Sequence, residues 1–326
     1  MGLITKVEKP LFKTAVSEFL VWAESRLEKS TVRRYRIASA ALIKAFGSEK
    51  VNKITSGDIE KFITKRSREV GLRRGVKPKA GKAKPASVKK TISASTINKE
   101  LSVLKKIFNN LIVAKIINVN PVRNLKFLKE NSQAGRVLNI EEERVYLMAA
   151  SQPFQDFAAI SIETGMRPDE LCAITINDVN LDEGSVFIQK GKTKAARRLV
   201  PLSDRALGII KSRIETATGA FLFAGGLHGS DPNSRVVKFN NSHYGALKRS
   251  KLDTDNRSGT SGTCTIYSFR HTFATRFIES GGDLLTLAAI LGHSSLRMVM
   301  RYAHPSDAHK FEAIKRMSQV KRPEAS

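Results

Sequence analysis

Apolar residues along most of this chain recur at the three-and-four spacing of a helix, and that periodicity limits it to a mainly α fold. Leu11, Phe12, Val16, Phe19, Leu20 and Leu27 mark a first helix, with Trp22 beside them. Ser30 reads as the N-cap of a second helix carrying Val32, Tyr35, Ala38, Leu42 and Phe46, with Gly47 as its stop. Thr55 followed by Asp58 resembles a capping box, opening a shorter helix to about Arg66. Ser93 or Ser95 opens a fourth through Ile97, Leu101, Leu104, Ile107, Phe108 and Ile112, and Pro121 ends the region. Four amphipathic helices of this kind imply a small bundle.

Asn131-Ser-Gln-Ala-Gly135 reads as a linker, and the pattern changes after it. Helical stretches are expected at about 140–151, 153–164 and 168–174. Ser185-Val-Phe-Ile-Gln189 and Arg198-Leu-Val200 then read as two short strands joined by a basic turn. Further helices are expected at about 203–216, 235–249, 267–280, 283–291 and 295–302, with a loop over 250–263. A last amphipathic piece at about 306–318 carries Phe311, Ile314 and Met317.

With 326 residues, 41% of them hydrophobic, the chain can build two ordinary cores and is not a disordered tail. It has no run of about 18 apolar residues, so no membrane span is expected. The N-terminus lacks the apolar stretch of a signal peptide. Cys172 and Cys264 are too few for a disulfide framework or a metal cluster; they fit a reducing cytosol, so the expected location is cytoplasmic. The net charge of +26 is uneven. Residues 1–130 hold 30 Lys/Arg against 10 Asp/Glu, whereas residues 131–326 hold 26 against 20. A polyanion held mainly by the N-terminal part follows. Between Lys65 and Lys90 lie eleven basic residues and one acid, Glu69. Such a stretch cannot form a core, and its charges repel one another unless an anion is near. Arg73, Arg74, Lys77, Lys79, Lys82, Lys84, Lys89 and Lys90 are therefore candidates for contact with nucleic-acid phosphates.

The chemistry gathers further on. Thr164-Gly165-Met166-Arg167 is followed by Glu170, then by Gly191-Lys192-Thr193-Lys194, Tyr267-Ser-Phe-Arg270-His271, Leu291-Gly292-His293 and Tyr302. Taken singly, each has an ordinary explanation: a surface arginine, a solvated turn lysine, a buried histidine, a packing tyrosine. Together they are what attack on a phosphodiester by a phenol oxygen requires. Guanidinium forks match phosphate oxygens, a histidine adds a donor, and a tyrosine gives a nucleophile able to form a covalent intermediate. Glu170, three residues after Arg167, is placed to hold it by an ion pair. Lys192 can protonate a leaving 5′ oxygen, with Lys194 a close rival by position. Tyr267 and Arg270 share a helix face, while His271 points elsewhere and reads as structural.

At these residues the sequence resembles the tyrosine recombinase (phage integrase) family. The matching boxes are Thr164–Arg167 with Glu170, Lys192 followed by Arg198-Leu-Val-Pro201-Leu, Tyr267–His271 with Thr-Phe-Ala, and Leu291–Ser294 with Tyr302 nine residues beyond His293. One departure stands out: the second box usually opens with a histidine three residues before its arginine, and here that residue is Tyr267. The resemblance implies a mainly α protein with a helical N-terminal core-binding domain that clamps DNA (1–130), a linker (131–137), and a mixed α+β catalytic domain with a small β hairpin and a C-terminal interaction segment (138–326). It further implies a site-specific recombinase or integrase acting on double-stranded DNA through a 3′-phosphotyrosyl link. It implies as well that neither cofactor nor metal is needed for that chemistry and that a homo-tetramer is expected on the DNA. A type IB topoisomerase uses similar residues without a second partner site, and a non-catalytic DNA-binding module would leave the four box positions to coincidence.

Overall fold

The structure is a computed structural model, and it describes residues 9–70, 91–130, 135–189, 197–217, 219–225, 233–252, 264–303, 311, 314 and 315. The chain divides into two compact units, Met1–Ser132 and Gln133–Ser326.

The first unit is helical. Its helices are α1 (Phe12–Arg26), α2 (Lys29–Phe46), α3 (Ser56–Arg68) and α4 (Ala94–Val113). Their apolar stripes meet in one core in which Phe12, Phe19, Leu42, Ile59, Ile97 and Phe108 are wholly enclosed. The capping box forms at α3: Asp58 N–H donates to Thr55 Oγ1 at 3.2 Å, and the Asp58 carboxylate accepts from Thr55 N–H at 3.1 Å. Ser93 rather than Ser95 caps α4, accepting from Thr96 N–H at 3.3 Å. The second helix, however, starts earlier than Ser30. The Glu28 carbonyl accepts from Thr31 and Val32 N–H at 2.8 and 3.1 Å, so the first turn closes around Ser30. Val70 and Thr91 form an antiparallel bridge, which brings the flanks of the basic stretch together. The stretch itself, 71–90, lies outside the described residues and takes all eight phosphate-contact candidates with it.

The second unit begins with α5 (Ile140–Ala149), α6 (Phe154–Thr164) and the short α7 (Pro168–Leu171). A three-stranded antiparallel sheet follows, in the order β1 (Val179–Asn180), β2 (Ser185–Ile188), β3 (Arg198–Pro201). Its register pairs Val186 with Val200 and Ile188 with Arg198. Then come α8 (Asp204–Glu215), α9 (Asn240–Ser250), α10 (Ile266–Glu279) and α11 (Leu284–Leu291). The main core is aromatic, with Tyr146, Phe154, Phe157, Phe223 and Phe269 fully enclosed. A smaller one, built from Ala274, Leu287, Leu291 and Val299, has Phe273 and Tyr302 packed on it.

Three expectations change here. A third strand, β1, pairs with β2. The helix expected from 235 starts at Asn240, because Arg235 bridges Ala224 and Val236 N–H donates to the Phe223 carbonyl at 2.9 Å, which keeps that stretch extended. Residues 295–302 form two 3-10 turns, Leu296–Met298 and Met300–Tyr302, in place of one helix. Of the amphipathic piece at 306–318, only residues 311, 314 and 315 are described.

Candidate active site

Two left-handed glycines set the site. Gly165 (φ +62°) ends α6 and Gly292 (φ +64°) ends α11, a backbone conformation that side chains other than glycine rarely adopt. Space forbids a side chain at Gly165 as well, since a Cβ there would lie 2.4 Å from the Phe273 ring and 2.8 Å from Leu291. The two caps turn carbonyls toward the arginines. Arg270 Nη1 donates to the Gly165 carbonyl at 2.8 Å, and its Nη2 to the Leu291 carbonyl at 2.7 Å. Arg167 Nη2 donates to the Gly292 carbonyl at 3.3 Å.

Glu170 braces the other side. Its carboxylate takes the Arg167 backbone N–H at 2.9 Å and Arg167 Nη1 at 2.7 Å. It also takes both Nη atoms of Arg198, at 3.2 and 3.0 Å. Arg198 Nε reaches back to the Ile290 carbonyl. Burial alone would raise the Glu170 carboxyl, but Arg198 and then Arg167 outweigh it and hold it below the usual carboxylate range. Arg270 is 6% exposed, and desolvation followed by the charge of Arg167 brings its guanidinium down to about 10, still protonated at neutral pH.

Nη2 of Arg270 also lies 2.8 Å from His293 Nε2. A guanidinium only donates, so Nε2 accepts and the His293 proton sits on Nδ1. That Nδ1 is buried with no partner among the described residues. Desolvation, then Arg270 and Arg167, push the imidazole down to about 4, so it is neutral.

Tyr302 closes the group from the last 3-10 turn. Its hydroxyl lies 2.6 Å from Nδ1 of His271, with the two rings 5.8 Å apart. Burial raises the phenol above its ordinary value, while Arg301 and Arg270 pull the other way. The structure thus brings Arg167 into contact with Glu170 and Arg270 with His293, with Arg167, Glu170 and Tyr302 within electrostatic reach of Arg270. Tyr267 is 51% exposed at the start of α10 and makes no hydrogen bond among the described residues. Lys192 and Lys194 lie outside the described residues.

Sequence reasoning missed two members. His271 was expected to be structural and away from the reaction, yet it holds the phenol. Helical spacing describes faces of one helix and is silent about a turn that returns to it from 31 residues away. Arg198 reads from the sequence as part of a strand and of the box that follows Lys192, with no role of its own. The available signal was an arginine at an inward position of the alternating stretch Arg198-Leu-Val-Pro201, whose burial does alternate.

A comparison with known proteins places this arrangement. Residues 130–309 match the phage integrase family. The chain belongs to that family of tyrosine recombinases. Such an enzyme cuts and rejoins DNA in site-specific recombination. The tyrosine recombinase XerC of Bacillus subtilis (strain 168) is 30% identical over 230 residues, spanning 67% of this chain and 72% of XerC. In fold, the chain is similar to the Tn1549 transposon integrase in complex with transposon right end DNA, at a TM-score of 0.73 and 18% identity over 95% of this chain and 100% of that one. It is also similar to the lambda integrase of a tetramer bound to a Holliday junction, at 0.69 and 17% over 92% and 80%. The recombinase fold expected from the sequence, mainly helical with a small sheet, is the fold observed.

Proposed function

We propose that Tyr302 of this recombinase attacks the scissile phosphate of duplex DNA, forming a 3′-phosphotyrosyl link and releasing a 5′ hydroxyl. A second strand's 5′ hydroxyl then resolves the link. The observation that carries this reading is the convergence of Arg167, Arg270 and His293 from three separate segments beside the Tyr302 phenol. Each guanidinium has five N–H donors. Among the described residues Arg270 spends three of them and Arg167 two, which leaves donors for the equatorial oxygens of a phosphorane. Donors already in position need no reorganisation as charge develops. An anionic phosphate among them offsets the guanidinium charges on His293 and favours the imidazolium, a further donor. Glu170 positions Arg167.

Lys192 is the general acid for the leaving 5′ oxygen in this reading. It lies four residues beyond Ile188, whose strand partner Arg198 grips Glu170. Tyr267 adds a phosphate contact through its hydroxyl. The helical unit, as the core-binding domain, holds the duplex with the basic residues between Arg73 and Lys90. Four copies assemble on the DNA, as lambda integrase does on a Holliday junction, and the enzyme works in the cytoplasm, in keeping with two buried free cysteines.

The test is covalent trapping on a nicked suicide duplex. Tyr302→Phe keeps the ring and its packing and removes the attacking atom. It is expected to bind DNA as the parent does and to form no adduct. A trapped adduct, or one mapped to Tyr267, would falsify the reading. A 5′-bridging phosphorothiolate, whose thiolate leaves without an acid, is expected to rescue Lys192→Ala and not to be needed by Lys194→Ala.

A further inference from the structure

We infer that His271 is the proton acceptor for the Tyr302 phenol in the cleavage step. This rests on Tyr302 being the nucleophile, as proposed above. His271 Nδ1 touches the reacting oxygen itself, at 2.6 Å. Among the described residues no other ring nitrogen does. His293 is occupied at Nε2 by Arg270, and its Nδ1 is buried. Tyr267, standing where the family's histidine usually stands, is exposed and hydrogen-bonded to nothing described.

Several elements fix the imidazole where it is. α10 carries it, flanked by Arg270 and Thr272. The strap before α5 runs behind the ring, pinned to α10 by Leu138 N–H donating to Thr272 Oγ1 at 3.0 Å and by Arg276 Nη2 donating to the Leu138 carbonyl at 3.1 Å. Gly135 in that strap lies so close that a Cβ there would be 2.0 Å from the His271 ring. The charged groups facing the ring are Arg270 on its own helix and Arg301 on the last 3-10 turn; Gly135 from the strap brings no charge. Burial and these two cations hold His271 below its ordinary value, so at neutral pH the ring is uncharged and one nitrogen accepts. The phenol then donates to Nδ1. As the Oη–P bond forms, the phenol proton passes to Nδ1. The P–O5′ bond breaks, and the leaving oxygen takes its proton from the general acid. On rejoining, the 5′ hydroxyl attacks and returns its proton to the now deprotonated general acid, the Oη–P bond breaks, and the departing phenolate recovers its proton from Nδ1.

The experiment measures adduct formation by the full chain on a nicked suicide duplex from pH 5.5 to 9.5. His271→Asn retains a polar atom near the Nδ1 position but cannot take a proton. At pH 7 it is expected to react roughly 10²–10⁴-fold more slowly, the usual range for a lost general base. Its rate should climb about tenfold per pH unit as hydroxide replaces the base. His271→Ala leaves a void, and added imidazole is expected to restore part of its rate. The parent's own rate should fall in acid as one group titrates below 6.5. Melting curves and DNA binding identify a variant that merely misfolds, and the parent profile and the imidazole arm stand without it. A wild-type rate in both variants, or a uniform drop with an unchanged pH profile and no imidazole response, overturns the inference. Tyr302→Phe separates the two levels. Inert Tyr302→Phe with fully active His271 variants sinks the role of His271 alone, whereas an adduct from Tyr302→Phe sinks the nucleophile reading beneath it.

Discussion

Arg270 is 6% exposed, gripped by two backbone carbonyls and His293, while Tyr302 stands half-buried on a three-residue 3-10 turn, its ring on the smaller apolar core and its hydroxyl bonded to His271 and Arg301. The two halves of one site are therefore held by different means. The half proposed to bind phosphate is fixed by helix ends: α6 and α11 stop at left-handed glycines, and the carbonyls of those last turns, which no helix can satisfy internally, become acceptors for guanidinium groups. The half that carries the proposed nucleophile sits on a short turn, and the proton of its bond to His271 would have to move in the proposed reaction. A half made of caps and buried ion pairs has little freedom to lose. A half made of a short turn and hydrogen bonds to a half-buried phenol can be detuned without unfolding the protein. Substitutions on the two sides should separate into those that cost stability and those that cost rate alone.

Glu170→Ala should give the largest loss. The carboxylate is 8% exposed and pairs with Arg198, itself 7% exposed, and with Arg167. Removing it strands buried charge, which typically costs about 3–5 kcal/mol. Urea unfolding should show that loss, together with near-complete loss of adduct formation. A drop confined to rate, with stability intact, would break the distinction between the two halves.

Arg270→Lys should follow. The single ammonium cannot reach the Gly165 carbonyl, the Leu291 carbonyl and His293 in one plane, and it is a point charge toward phosphate. Losing one pre-placed donor typically costs about 10²–10³-fold in rate. Single-turnover cleavage reads it, and DNA binding should change far less.

The titration of the site gives a third comparison. His293 and His271 both sit below their ordinary 6.5 when folded, His293 at about 4. The unfolded chain therefore binds more protons than the folded one in the window between those values. The stability these histidines contribute is complete above about pH 6.5 and is lost as pH falls toward 4. Thermal melts across pH 4–7 should show the decline. His293→Gln should flatten it more than His271→Asn does, since the His293 value is the one displaced furthest.

How much of this was legible beforehand follows the same division. The helices of the first unit could be read because each buries a stripe of its own residues, as at Ile97, Leu101, Leu104 and Phe108. The box residues could be read because their order is specific. What could not be read depends on contacts far apart in sequence. His271 meets Tyr302 across 31 residues, Arg198 meets Glu170 across 28, and Arg235 leaves helical conformation to pair with Ala224. β1 is two residues long, too short to show an alternation, and the turns at Leu296–Met298 and Met300–Tyr302 share the spacing of a helix without its length.

Gly135→Ala sharpens the comparison from outside the reacting residues. A Cβ at this position meets the His271 ring at 2.0 Å, so the imidazole has to swing off the phenol while Arg167, Arg270 and Glu170 keep every partner. The predicted cost is in rate, approaching the roughly hundredfold lower end for a displaced base. The rate should recover toward high pH, as for His271→Asn, and stability should hardly change.

Tyr267→Phe should have the smallest effect. Its hydroxyl is exposed and contributes nothing visible to the folded protein, so melting should not shift. On DNA, one exposed hydrogen bond to charged phosphate is worth roughly 1.5 kcal/mol, about a tenfold slower adduct. The more telling substitution is Tyr267→His, which restores the family's usual residue three positions before Arg270. If His271 already serves the phenol, a second imidazole at 267 should leave the rate of the parent unchanged, yet recover part of the rate lost in His271→Asn. A Tyr267→His change that accelerates the parent tenfold would instead mean that the phenol lacks a proton acceptor in this chain, and that the contact with His271 only holds the ring in place.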